Sequence, residues 1–395
     1  MDHAAFADRR SIAVPAGTFF IALSAGKYGI KLVFNLRHFD MPTCLMELYG
    51  GWESRHVVDL FGRFVRSAFT LFGSQVRYWT TFNEPMVIVD GSYLYDYHYP
   101  IQKNQGRKAV RVMSHIALAS ALAMQEYRSL QLDGRIGIIL NLTPAYPRSD
   151  AREDIQTARF FDLFHGEFFM DAAVFGRLPK NLEKILKDDG VWHDLDEDDL
   201  KMIATNTADF VGANYYHPTR IQAGSHPDFE SWMPDQYYEH YDLPGRRINP
   251  YKGWEIYPQA IYDIARMIQK RYRNIPWYLS ESKMGVQDEG RFRAPDGMIQ
   301  DDCRIDFYKE HLCWLHKAIE EGSSCFGFHA WAALDCWSWN NAYKNRYGFI
   351  EVDLDDQQRH MKKSDLWMKE ASLSNGFELE LEDEKPAGNL VQGGQ

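Results

Sequence analysis

Cysteine is scarce in this chain: five residues, Cys44, Cys303, Cys313, Cys325 and Cys336, an odd number with no zinc-like spacing. Disulfide scaffolds and structural zinc are therefore not expected, whereas thiols buried in a reducing cytoplasm are. Long apolar runs are missing too, and no stretch approaches the roughly 20 residues of a membrane span. The start, Met1-Asp2-His3-Ala4, lacks the basic-then-apolar pattern of a signal peptide, so a cytoplasmic protein is expected. Excess positive charge is absent. Lys and Arg number 44 against 55 Asp and Glu, a formal net charge of −11, which argues against nucleic acid or an anionic membrane as partner. A phosphorylated small ligand stays possible, because a local basic pocket can sit in an acidic surface. No cofactor motif, metal-ligand cluster, internal repeat or flexible linker is visible, so no metal and no cofactor are expected.

What the chain does have is alternation. With 45% hydrophobic residues in 395, it can bury one large core or two small ones, and with no linker in sight one domain is expected. Strand-like apolar runs at 30–36, 75–82, 136–140, 210–213, 275–279 and 325–329 alternate with helical patterns, as in α/β proteins with parallel strands. Ser54 opens one helix, which carries apolar residues at Val57, Val58, Phe61, Phe64, Val65, Ala68, Phe69 and Phe72; Gly73 closes it. Further helices are expected over 109–130 and 305–319. The Pro-, Tyr- and Asp-rich stretch 225–251 reads as a long surface loop, and 378–395 as a solvated tail.

Each apolar run ends in polar or aromatic residues, and two end in glutamates. Glu84 lies in Thr81-Phe82-Asn83-Glu84-Pro85 and Glu281 closes Trp277-Tyr278-Leu279-Ser280-Glu281. In a barrel of parallel strands the C-terminal strand ends converge on one rim, where chemistry is done. Two glutamates delivered there suit cleavage of a glycosidic bond. One hands a proton to the leaving oxygen, and the other, ionised, attacks or activates water.

Further motifs extend the pattern: His38-Phe39-Asp40-Met41-Pro42, Tyr49-Gly50-Gly51-Trp52, Asn214-Tyr215-Tyr216, Gly253-Trp254-Glu255-Ile256-Tyr257-Pro258 and Trp339-Asn340-Asn341-Ala342-Tyr343. In this order, over roughly residues 20–377, they resemble family 1 glycoside hydrolases. Leu140-Asn141-Leu142-Thr143-Pro144 and Asp335-Cys336-Trp337-Ser338-Trp339 resemble most the bacterial 6-phospho-β-glucosidases and 6-phospho-β-galactosidases. The resemblance implies a TIM-type (β/α)8 barrel and hydrolysis of β-glycosides with retention. It implies Glu84 as general acid/base and Glu281 as nucleophile. It also implies sugar contacts by Asn83 and His38, a nucleophile-orienting tyrosine at Tyr216, a neighbouring polar group at Asn214, and an aromatic floor of Trp331 and Trp339.

Ser338 stands where plain β-glucosidases of that family carry a glutamate. A carboxylate beside a phosphate in a low-dielectric pocket repels it by several kcal/mol, and serine removes that charge. Tyr347 fits the phosphate-binding tyrosine. The usual lysine position is Asn345, with Lys344 one residue early. The family reads Glu-Asn-Gly at the nucleophile, whereas this chain reads Glu281-Ser282-Lys283. Lys283 either pairs with Glu281, lowering its pKa, or points to solvent.

Only 29 residues precede Ile30, and each βα unit needs roughly 30. The resemblance therefore implies a barrel lacking its first two βα units, with a divergent segment 1–25 ahead of a catalytic domain 26–377. A sugar-gripping glutamine and an arginine beside the nucleophile are not found. Two readings follow. One is an enzyme cleaving 6-phosphorylated β-glycosides, or else plain β-glucosides. The other is an inactive or weakly active relative that at most binds a sugar phosphate and self-associates through exposed barrel edges.

Overall fold

The computed structural model describes residues 27–224 and 231–378. The expected divergent segment 1–25, and the expected tail apart from Glu378, lie outside the described residues. The chain divides into two compact units: residues 1–283 with 314–331, and residues 284–313 with 332–395.

The first unit is built on a six-stranded parallel sheet: β1 (Val33–Asn35), β2 (Tyr78–Asn83), β3 (Arg135–Asn141), β4 (Phe210–Asn214), β5 (Trp277–Glu281) and β6 (Cys325–Phe328). The strands pair in chain order, each parallel to the next. These are the six runs expected from the sequence, and helices connect them because parallel neighbours require crossovers. Helix α1 (Arg55–Phe72) starts after Ser54 and stops at Gly73. Its buried face is the 3.6-residue stripe Val57, Val58, Phe61, Val65, Ala68, Phe69 and Phe72. Helix α2 (Gly106–Ser129) packs on α1. Strands β2 to β5 are almost wholly buried, which is why they read as continuous apolar runs. Trp79 and Trp277 fill the core and still satisfy their indole N–H groups, on the Val76 carbonyl and the Ser323 hydroxyl.

Two expectations need correction. The stretch read as a surface loop is partly buried where it is described. Met233, Pro234, Tyr238 and Asn249 are buried, and Glu239–His240 pairs with the strand Thr219–Gln222. Its aromatic rings pack inward while their polar tips reach carboxylates: Trp232 and Tyr237 both donate to Asp189, each at 2.7 Å. The thiols, expected buried, are not: Cys44 is exposed and the other four are half-buried, and none of the five forms a disulfide among the described residues.

The second unit carries the antiparallel pair Ile350–Val352 and Arg359–Met361, then the helix Lys363–Ser374. Beneath them lies an ion network excluded from solvent. Arg304 bonds Asp301 and Glu289, and Lys362 bonds Glu289 and Asp335. Asp335 also accepts from the Gly348 N–H at 2.9 Å. Carboxylates and cations this deep are tolerated because each is paired and hydrogen-bonded.

Candidate active site

Asn83 ends β2, and the register against β3 shifts between Thr80 and Asn83. Such irregularities re-aim side chains at strand ends. Glu84 follows with φ 45° and ψ 62°, a left-handed conformation. Pro85 disfavours the right-handed helical region for the residue before it, and the short helix Pro85–Val89 begins at once. A glutamate held there costs on the order of 1 kcal/mol or more. Glu281 ends β5, paired in register with Asn214 at the end of β4.

These strand ends meet around one amide. Asn214 donates from Nδ2 to Glu84 Oε1 at 2.8 Å and to Asn83 Oδ1 at 3.1 Å. Its strand position pairs with that of Glu281. Ser280 Oγ donates to Asn214 Oδ1 at 2.6 Å, which fixes the amide's orientation. Tyr216 donates its phenol to Glu281 Oε2. Asn83 Nδ2 lies 3.3 Å from His38 Nε2, and the His38 ring sits 6.0 Å from the Trp331 ring. Glu84, Glu281, Asn83, Asn214, His38, Tyr216 and Trp331 thus form one cluster within the first unit.

Its electrostatics follow from burial. Glu84 and Glu281 are 7% and 8% exposed. Burial raises both carboxyls above their ordinary range, and the Glu84 charge raises Glu281 further. The bond from Tyr216 and the charge of Lys283 pull Glu281 back down. Asn214 and Lys283 do the same for Glu84. The pair titrates as a unit, and losing its second proton is opposed by repulsion in a dry site. Burial lowers His38 to about 4, so its imidazole is neutral near pH 7 and can exchange hydrogen bonds with hydroxyls.

In the second unit, Ser338 is half-buried and exchanges backbone hydrogen bonds with Ala342 at 2.9 and 2.8 Å. Tyr347 is buried, and that burial raises the pKa of its phenol. Trp339 is half-exposed, edge-on to Trp337 at 5.6 Å. Lys344 is exposed, while Asn345, at the usual lysine position, is buried and accepts from Asn341 at 2.6 Å. Among the described residues no group of His, Cys, Asp and Glu could hold a metal ion.

Sequence reasoning gave no role to Ser280 or Trp254, although both lie in motifs it quoted. Ser280 directly precedes Glu281 on β5, and nothing in the spacing marks its bond to Asn214. Trp254 stacks on Tyr216 at 5.5 Å, a contact between segments about 40 residues apart that no spacing rule reveals.

The comparisons decide the family. Residues 21–377 match the profile of glycosyl hydrolase family 1. The chain belongs to that family. It is 48% identical to the 6-phospho-beta-glucosidase GmuD of Bacillus subtilis, over 88% of this chain and 75% of that protein. It is 32% identical to a 6-phospho-beta-galactosidase of Clostridium acetobutylicum, over 88% of this chain and 76% of that protein. Among solved structures, a family 1 β-glucosidase from Thermotoga maritima superposes with a TM-score of 0.82 at 30% identity. That superposition covers 92% of this chain and 78% of the other. The glycoside hydrolase therefore has the TIM-type barrel fold of its family, and β1–β6 are parallel strands of the barrel wall.

Proposed function

We propose that this enzyme hydrolyses the β-glycosidic bond of 6-phosphorylated β-glucosides or β-galactosides with retention, using Glu84 as acid/base and Glu281 as nucleophile. The observation that carries the reading is the buried carboxyl pair, with the Asn214 amide on Glu84 and the Tyr216 phenol on Glu281. Retention requires the proton of the singly protonated pair on Glu84 and the charge on Glu281, which accepts the Tyr216 phenol. Glu84 gives that proton to the leaving oxygen while Glu281 attacks the anomeric carbon, forming a glycosyl-enzyme. Glu84, now a carboxylate, takes a proton from water as the water releases the sugar from Glu281. Asn83 and neutral His38 hydrogen-bond sugar hydroxyls, and Trp331 and Trp339 offer faces to the pyranose.

The 6-phosphate is assigned to Ser338 and Tyr347, with Lys344 contributing charge. The absence of a carboxylate at Ser338 and the relatives named for 6-phospho-glycosides support this. Phosphorylated glycosides cross membranes poorly, so the reading implies a cytoplasmic enzyme working on substrate phosphorylated during uptake. Hydrolysis of p-nitrophenyl β-glucoside 6-phosphate and of the unphosphorylated glycoside tests the assignment. The phosphorylated compound should be cleaved with the higher kcat/KM, and S338E should reverse the order. Equal turnover of the two by the wild-type enzyme refutes the phosphate assignment. E84A should slow p-nitrophenyl substrates about 10²–10⁴-fold less than E281A does, because an activated leaving group needs little protonation. Equal losses in the two variants overturn the acid/base role.

A further inference from the structure

Lys283 stands two residues beyond Glu281, where the strand has left the sheet. Its ammonium lies 4.6 Å from the centroid of the Tyr216 ring and 5.5 Å from that of Trp331. Tyr216 in turn stacks on Trp254, and the Lys252 ammonium lies 4.8 Å from the Trp254 ring centroid. The result is a row of cation, phenol, indole and cation, continued by Trp331 on the other side of Lys283. Cations held against ring faces are attracted by the ring quadrupole, by about 0.5–2 kcal/mol each. The row therefore fixes Tyr216 as well as the lysine.

Tyr216 is the residue whose phenol donates to Glu281. The groups facing Glu281 come from three strand ends: Glu84 after β2, Asn214 and Tyr216 at and beyond the end of β4, and Tyr278 and Lys283 on β5 and its extension. His38 and Lys252 stand further out, and both feel the charge of Lys283. Among these groups Glu84 opposes a negative charge on Glu281 and Lys283 favours it.

We propose that Lys283 is a positioning residue of this active site: clamped between Tyr216 and Trp331, it holds the phenol on Glu281 and supplies the positive charge that keeps Glu281 anionic. It is thus one of the two alternatives left open by the sequence, pairing with the nucleophile, reached through an aromatic ring. The inference rests on Glu281 being the nucleophile.

The test compares wild type, K283M and K283R by kcat and KM across pH 5 to 9. Methionine keeps the length of the side chain and removes the charge, and arginine keeps the charge and stacks well on aromatic rings. In K283M the acid limb of kcat/KM should move up by about one pH unit, with about tenfold loss of kcat below it. The loss should shrink as pH rises, KM should change less than about twofold, and K283R should restore the wild-type profile. An unmoved acid limb in folded K283M, or K283R as impaired as K283M, overturns the proposal. If K283M does not fold, K283Q makes the same comparison.

Should wild type cleave neither substrate, the proposed function fails by itself, and Lys283 is then judged without turnover. The Glu281 carboxyl is followed by 13C NMR in glutamate-labelled protein and assigned through E281Q. A titration midpoint that rises in K283M supports the positioning role, and an unchanged one ends it.

Discussion

Glu84 and Glu281 are kept where a carboxylate is least comfortable, and this sets how the protein responds to pH. A carboxyl whose folded-state pKa lies above its unfolded value of about 4.3 costs stability. That cost is absent below the unfolded value, grows as pH rises from it to the folded one, and is constant above. Both carboxyls are shifted upward, so the second deprotonation of the pair strains the fold above neutral pH. E84Q and E281Q, which each remove one charge, should therefore be more stable than wild type at pH 8, by a few degrees in Tm. The gain should shrink as pH falls and vanish below about 4. Thermal unfolding at several pH values checks it, and variants less stable than wild type at every pH would count against repulsion as the cause. At this scale the sequence named the two glutamates because each sits at a strand end in a distinctive motif. It could not reveal that Asn214 ties Glu84 to the end of β5 through Ser280, since those two residues stand 130 and 66 positions from it in sequence.

Among the elements, α1 was legible almost to the residue, because an amphipathic stripe bounded by Ser54 and Gly73 carries both its period and its ends. The segment after residue 230 was not. Its Pro, Tyr and Asp residues signal a loop, but whether tyrosines face water or carboxylates depends on partners distant in sequence. Gly106 shows how tightly that segment is held. A Cβ there would lie 1.9 Å from the Trp232 backbone oxygen and 2.6 Å from its ring. G106A should therefore push 231–238 away from the start of α2 and destabilise the protein by about 1–3 kcal/mol. Alanine is otherwise the better helix former, by about 1 kcal/mol, so an unchanged or raised Tm would show that the segment yields freely. In the second unit, K362M would leave Glu289 and Asp335 buried with one partner fewer. A loss of about 3–5 kcal/mol is expected from breaking such a network. Urea unfolding monitored by the fluorescence of tryptophans in that unit, Trp337, Trp339 and Trp367, reads it, and a loss under 1 kcal/mol would mean that water replaces the ammonium.

At the scale of the whole molecule, charge and sheet edges act together. Among the described residues β1 and β6 each pair on one side only, and Phe326 on β6 is 50% exposed. Unpaired strand edges template association with other chains, and like net charge opposes it. At pH 7 the formal charge of −11 keeps copies apart. Near the sequence pI of about 5.7 that repulsion is gone, while the edges and their apolar side chains are unchanged. Self-association should therefore be weakest near pH 8, grow as pH approaches 5.7, and be promoted at pH 8 by 0.5 M salt, which shortens the screening length to roughly 4 Å. Light scattering on a size-exclusion column, run at pH 8, 7 and 6 with and without salt, measures it. F326K should blunt the association at every pH by placing a charge on the edge, although Phe326 also packs on Phe210 and Tyr278 and some stability will go with it. A molar mass that stays constant across this series would mean that these edges are covered in solution and that net charge has nothing to hold apart.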